Sequence, residues 1–351
     1  MSACNYLVPA ALIVVLVGGR RLLSSKSDTE CTLCTDAAIV VAVGGLMLLK
    51  KYMAGGQYGG KETIKGKTVI ITGANTGIGL ETAKELAKRG GRIIMACRDT
   101  VRGETARKAI VEETGNNNVI LKKLDLTSFA SIKAFSKEIN ESESRIDILI
   151  NNAGVMACPK TLTEDGIEMQ LGVNHIGHFL LTNLLLDKIK ASAPSRIIIV
   201  SSSAHLFGGR INFDDLNSER SYNRNLAYSQ SKLANILHGR ELARRLQGTG
   251  VTVNSLHPGA VNTELTRHVP FVDSTFIGRL LALPFRYFLF KTAVEGAQTT
   301  LRLALDPALE TVTGKYFRDC KIVSPSSKAQ DDEVAKRLWD ISEEYVKGNI
   351  K

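Results

Sequence analysis

The feature that most constrains this chain is a strand that runs through glycines into a helix. Lys67-Thr-Val-Ile-Ile-Thr72 is apolar and β-branched and reads as a buried strand. Gly73-Ala-Asn75-Thr76-Gly77-Ile78-Gly79 follows, then a helical stretch from Leu80 to Arg89, with Gly90-Gly91 as its stop. Gly73 suits a tight turn, Gly77 a close backbone approach, and Gly79 a helix packed near a sheet. Free N–H groups and a partial positive charge at the helix N-terminus favour an anion there. A second strand, Arg92-Ile-Ile-Met-Ala-Cys97, comes at the distance a dinucleotide fold requires.

The end of that second strand chooses between two dinucleotides. An acid there would hold a ribose 2′-hydroxyl. This chain has Cys97 and then Arg98, and a guanidinium suits a 2′-phosphate. Residues 84 to 108 hold eight Lys/Arg against three Asp/Glu. The expectation is NADP(H), with Asp99 as a displaced ribose acid the competing reading. Leu121 to Leu126 reads as strand three, with Asp125 and Leu126 at its end near an adenine; a helix N-cap is the other role for Asp125. Ile146 to Ile150 is strand four, followed by Asn151-Asn152-Ala153-Gly154, small enough for a cofactor to lie close to the sheet.

Strand and helix patterns alternate to about residue 318, which predicts one α/β domain with a parallel sheet. Composition agrees: 44% hydrophobic and 23% charged residues in 351 are enough for a core and too apolar for disorder. Mean hydropathy of +0.00 excludes a polytopic membrane protein. Six cysteines exclude a disulfide scaffold, and the lone Cys31/Cys34 pair lacks the second pair of a zinc site. The six histidines offer no third ligand beside His175 and His178, so no metal is expected. The net charge of +10 suits an anionic cofactor or phospholipid; dispersed basic residues without a recognition motif argue against nucleic acid.

The first sixty residues differ from the rest. Two apolar runs, Leu7 to Gly19 and Ala37 to Leu49, have 13 residues each, short of the ~20 a spanning helix needs. Each ends in a basic pair, Arg20-Arg21 or Lys50-Lys51. Two consecutive spans cannot both place their basic C-terminal flanks on one side, so at most one run is expected to span. No positive charge precedes the first run, which argues against a cleaved signal peptide. Residues 1–61 therefore read as a membrane anchor ending in a glycine-rich linker, Gly55 to Gly60. Residues 62–351 read as the catalytic domain. A mitochondrial signal fits loosely, and packing of the tail on the protein itself is the alternative.

Arg196 to Val200 is strand five and ends in Ser201-Ser202-Ser203. Twenty-six residues beyond Ser202, Tyr228-Ser-Gln-Ser-Lys232 opens a helix predicted over Leu226 to Leu246. Tyr228 and Lys232, four apart, share one helix face. A free phenol ionises near pH ~10, and an ammonium nearby would lower that value. The phenol would then exchange a proton with a carbonyl or alcohol oxygen.

The glycine loop, Asn-Asn-Ala-Gly, Ser and Tyr-xxx-Lys together resemble the short-chain dehydrogenase/reductase family, in that order and spacing, over roughly residues 63 to 320. The resemblance implies a doubly wound Rossmann fold and selects Ser202 among the three serines. It adds Asn174, in Gly172-Val-Asn174-His175, as a relay for protons through water. It also implies cofactor contacts from Tyr228, Lys232, Pro258, Gly259, Val261 and Thr263, the last two at the nicotinamide carboxamide. Ala96-Cys-Arg-Asp99, Asn174-His-Ile-Gly-His178 and Arg245-Leu-Gln-Gly-Thr-Gly250 are similar to the family's retinol dehydrogenase branch. That branch implies NADPH-dependent reduction of retinal and other lipophilic aldehydes, at the endoplasmic reticulum or mitochondrial membrane. Six aromatics within 20 residues, among them Phe271, Phe276, Phe285 and Tyr287, would line a lipophilic pocket and touch a membrane, or serve as core or dimer contact. A homo-oligomer is compatible with that last role. A steroid or general carbonyl reductase and a non-catalytic NADP-binding scaffold remain as alternatives.

Overall fold

Strands that are apolar along their whole length need cover on both faces. The computed structural model, which describes residues 29–208, 210–261 and 288–348, supplies it. Eight strands form one sheet in the order β3-β2-β1-β4-β5-β6-β7-β8. They are β1 (Thr68–Thr72), β2 (Arg92–Cys97), β3 (Val119–Lys123), β4 (Ile148–Asn151), β5 (Ser195–Val200), β6 (Val251–His257), β7 (Tyr316–Arg318) and β8 (Lys321–Val323). All pairs are parallel except β7 with β8.

The crossovers are helices. α1 (Thr29–Ala54) precedes the sheet; α2 (Gly77–Lys88), α3 (Thr100–Thr114) and α4 (Phe129–Ser142) link the first strands; α5 (Gly177–Ala191) leads to β5. α6 (Arg224–Arg245) precedes β6, α7 (Ala293–Leu305) precedes β7, and α8 (Asp332–Lys347) ends the fold. Alternation along β1 sorts two cores. Val69 and Ile71 join Leu86, Met95 and Leu301 on one face. Ile70 joins Phe135, Phe179 and Leu242 on the other. Each such aliphatic side chain, fully buried, contributes about 1.5–3 kcal/mol. The doubly wound parallel fold expected from sequence is the one observed.

Boundaries shift where sequence gives no stop. α2 begins at Gly77, three residues before the predicted start, with Gly77 itself at φ +56° as the turn enters the helix. β3 lies two residues earlier than expected. Its register is fixed by Val119 opposite Ile93, and Asp125 is drawn into a turn with Thr127.

The second apolar run is part of a longer helix. α1 has 26 residues, and Ala37–Ala54 is long and apolar enough to cross a membrane by length and composition. The 13-residue run looked too short because helix continues through polar residues on both sides. Val41, Leu48 and Tyr52 are exposed. The helix end is fastened to the domain: Lys50 Nζ lies 2.8 Å from Glu295 on α7 and donates to the Phe290 carbonyl. The glycine-rich segment lies against the body. Tyr58 N donates to Gln298 on α7, and a Cβ at Gly56 would come within 2.0 Å of the Asp319 carbonyl oxygen. The first apolar run, Thr263, His268 and the aromatics from Phe271 to Tyr287 lie outside the described residues.

Candidate active site

In an open α/β sheet a ligand crevice opens at the carboxyl ends of the strands, where strand order reverses. Here β1 has β2 on one side and β4 on the other. A cleft of about 280 Å³ lies at that point. It is lined by Gly73, Asn75, Thr76, Gly77, Ile78 and Gly79 from the first turn, and by Arg98 beyond β2. Asp125 and Leu126 beyond β3, and Asn152, Ala153 and Gly154 beyond β4, complete it.

The first turn needs its glycines for different reasons. Gly73 has φ +67°, a left-handed conformation that a Cβ penalises. A Cβ on Gly79 would lie 2.4 Å from the Gly73 carbonyl oxygen and 2.6 Å from Asn152 Nδ2. Close packing of turn, helix and β4 therefore excludes any side chain there. The backbone path is a cradle that fits a dinucleotide pyrophosphate at the N-terminus of α2.

The lip of the cleft carries two arginines. Arg98 is exposed and makes no ion pair or hydrogen bond among the described residues. Asp99, the competing ribose ligand, also lines the cleft, and its Oδ1 caps α3 by accepting from Arg102 N at 2.9 Å. Arg102 also lines the cleft. Sequence reading missed it, although its four-residue spacing from Arg98 was a usable signal. Asp125 Oδ1 accepts from Thr127 N and Oγ1, so part of its carboxylate shapes the turn before α4.

The catalytic candidates converge beside the cleft. Gly154 touches two of them: a Cβ there would lie 3.1 Å from Asn174 Oδ1 and 3.4 Å from Lys232 Nζ. Lys232 Nζ is 5.8 Å from the Tyr228 ring centroid and donates to Val200 O at the end of β5. Ser202 follows β5, where its hydroxyl accepts from Ala204 N. Its neighbour Ser201 is buried and donates to the Lys232 carbonyl at 2.6 Å, so Ser201 is already committed.

Burial dominates the electrostatics. It raises the Tyr228 phenol above its ordinary value, while a hydrogen bond with Ser202 pulls it down. Burial also lowers the Lys232 ammonium to about 8. The expected lowering of the phenol by Lys232 is thus not what dominates in this pocket; the lysine itself is pushed toward neutrality.

Asn174 sits in a π-helical stretch, Gly172–Ile176, just before α5. Such widened turns recur at functional sites. Its side chain accepts from Val155 N at 2.8 Å and donates to Val155 O and Ser231 Oγ. Ser231 in turn donates to the Tyr228 carbonyl. Beyond β6, Pro258 is buried, Gly259 has φ +97°, and Val261 bridges to Lys291. Val261 faces Gly296 and, with Ile78, encloses the N-terminus of α7.

Comparison with known proteins agrees with this architecture. The short chain dehydrogenase family model matches residues 67–270. Human retinol dehydrogenase 13 is 56% identical over 311 residues, covering 88% of this chain and 93% of that protein. Mouse retinol dehydrogenase 14 is 51% identical over 327 residues, covering 88% and 97%. A crystal structure of an uncharacterized protein from Mycobacterium Paratuberculosis is 38% identical with a TM-score of 0.65, covering 82% of this chain and 95% of that one. A short chain dehydrogenase from Escherichia coli CFT073, solved with NADPH, shares the fold at 23% identity and a TM-score of 0.58, covering 75% and 100%. With a family model across more than half its length and relatives above 50% identity, the chain belongs to the short chain dehydrogenase family and is an oxidoreductase.

Proposed function

We propose that this enzyme uses NADPH to reduce a lipophilic aldehyde, retinal foremost, to its primary alcohol at a membrane. The observation that carries the cofactor choice is Arg98: an exposed guanidinium on the cleft lip, without an ion pair or hydrogen bond among the described residues, beside an Asp99 whose Oδ1 is engaged in capping α3. The retinoid reading leans on relatives named retinol dehydrogenase at 50–56% identity. The membrane reading leans on α1 and its exposed apolar residues.

When bound, NADPH supplies the hydride that the carbonyl carbon receives. The residues of this chain do the rest. Ser202 donates a hydrogen bond to the carbonyl oxygen and orients it. Tyr228, kept protonated by burial, donates its proton to that oxygen as negative charge develops. Lys232 sits one helical turn away and favours the resulting phenolate. Asn174 ties the β4 turn to α6 through Val155 and Ser231 and so fixes the distance between cofactor and phenol. Arg98, Asn152, Pro258, Gly259, Val261 and Thr263 hold the cofactor in this reading.

The test is a panel of retinal, a ketosteroid and a medium-chain aldehyde, each with NADPH and NADH, in membranes. Retinal with NADPH should turn over best. Tyr228→Phe should lower turnover by about 10²–10⁴-fold while sparing NADPH binding. Arg98→Ala should weaken NADPH roughly tenfold or more and leave NADH nearly unchanged, as loss of a charge-assisted hydrogen bond implies. A preference for the ketosteroid, or equal loss of both cofactors, would refute the respective assignment.

A further inference from the structure

His178 is wholly inside the protein, at 2% exposure, and the residues of the reaction do not include it. Both of its ring nitrogens have partners. Nδ1 lies 3.2 Å from the Asn174 carbonyl oxygen, and Nε2 lies 2.9 Å from Thr72 Oγ1. A carbonyl only accepts, so Nδ1 carries the proton and Nε2 is bare. Of the two acceptors in reach of the Thr72 hydroxyl, Nε2 at 2.9 Å is nearer than the Ile150 carbonyl at 3.4 Å, so the hydroxyl donates to Nε2. That hydroxyl also accepts from Asn152 N and Ala153 N, both at 2.9 Å. With its one proton on Nε2 and both lone pairs accepting, the Thr72 hydroxyl is fully used; the Ile150 carbonyl, at 3.4 Å, is the weaker alternative acceptor.

We infer that His178 is a positioning residue that locks the cofactor turn to the catalytic helix, as a neutral imidazole protonated on Nδ1. The chain of bonds is continuous. It runs from the Asn152-Ala153 turn to Thr72 and through His178 to the Asn174 carbonyl, then from the Asn174 side chain through Ser231 to the Tyr228 backbone carbonyl. Thr72 ends β1, immediately before Gly73, so one imidazole joins the floor of the cofactor cleft to the backbone of the helix that carries the proposed proton donor. An added proton would turn Nε2 into a donor facing a hydroxyl that already accepts two bonds. Burial and the nearby Lys232 charge disfavour that proton and hold the ring at about 4. His175 and His238, the other titratable groups that sense it, are themselves held neutral by burial. The inference rests on the roles proposed above for Tyr228 and the cofactor cleft.

Two substitutions separate the two ends. The amide nitrogen of Asn takes the place of Nδ1, and the amide of Gln takes the place of Nε2. His178→Gln keeps an acceptor for Thr72 and loses the bond to the Asn174 carbonyl. Turnover should fall roughly tenfold while the NADPH dissociation constant, measured by titration without substrate, changes less than about threefold. His178→Asn keeps the Asn174 bond and releases Thr72. NADPH binding should weaken roughly tenfold, with turnover at saturating NADPH retained. Equal movement of both quantities in both variants, or no movement, overturns the inference.

Nitrogen-15 spectra of histidine-labelled enzyme decide the matter without altering residue 178. The histidine signal that shifts in Thr72→Ser should show a bare Nε2 and a protonated Nδ1 from pH 8 to 5. A protonated Nε2 in that range overturns the inference. If the unsubstituted enzyme binds NADPH but turns over no aldehyde, the proposed function fails, while the binding and spectral results still judge His178.

Discussion

Helices α2 and α6 border the same cleft and are built on opposite plans. α2 buries one stripe, Gly79, Thr82, Ala83, Leu86 and Ala87, and leaves its charged residues at the surface in ion pairs such as Lys84 with Glu113. α6 is buried on almost every side and takes Tyr228, Gln230, Ser231, Lys232, Asn235, His238 and Glu241 in with it. Most of its polar groups have a specific partner: Asn235 and Lys232 donate to the Val200 carbonyl, Gln230 accepts from Asn212 N, and Ser231 donates to Tyr228 O, whereas His238 Nε2 has no hydrogen bond among the described residues. An amphipathic helix needs only the right face. A helix with polar groups on all sides of a core needs a particular partner for each, and the surrounding fold is committed to supplying them.

The largest break in this contrast should come on α6. Lys232→Met removes a buried ammonium and fills its place with an apolar chain of similar length. Turnover should fall by about 10²–10⁴-fold, while the melting temperature holds or rises, because the desolvation cost of the charge disappears. A large drop in melting temperature would show that Lys232 is chiefly structural.

A second break belongs to the one place where α2 is as intolerant as α6. Gly79→Ala drives a Cβ against the Gly73 carbonyl, which belongs to the backbone and cannot step aside. Stability should fall by about 1–3 kcal/mol, with NADPH binding lost alongside, measurable by denaturant titration and cofactor fluorescence.

Acid sharpens the comparison further. Burial holds His238 on α6 at about 3, and His178 and His257 at about 4. Between those values and the ordinary 6.5, the unfolded chain binds protons that the native chain refuses. Stability should therefore be full above pH ~6.5 and decline as pH falls toward 4. Melting curves across that window check it, and a flat profile would contradict the burial of these rings.

The smallest effect is expected from Lys84→Gln on the exposed face of α2. Its nearer partner Glu113 is solvated and Glu81, at 3.6 Å, is only half-buried, so the loss should stay within about 0.5 kcal/mol.

The same contrast explains what could be read from sequence. The strand, glycine turn and helix at Lys67 to Arg89 announce themselves locally, because glycine spacing and apolar period belong to neighbouring residues. The sheet and its two helical layers follow from repeated use of that unit. Tyr228 and Lys232 were legible for the same reason, as an i, i+4 pair. Thr72 and His178 were not. They are 106 residues apart in the chain, and nothing in either neighbourhood names the other. The π-helical widening at Asn174 is equally silent, since an extra residue in a turn changes hydrogen-bond register without changing the apolar pattern. The reach of α1 was underestimated because a helix does not end where hydrophobicity does.

The seam between Lys50 and the start of α7 bears on how a greasy substrate meets this enzyme. Lys50 holds Glu295 and the Phe290 carbonyl, and the side chains of the ion pair are mostly shielded from solvent. Gly55 and Gly56 then lie against Asp319 with no slack. Such a joint acts as a bracket and not as a rope. If α1 sits in a bilayer, as proposed above, the domain would stand at one fixed attitude, and a molecule diffusing sideways through the lipid would always arrive at the same flank of the sheet.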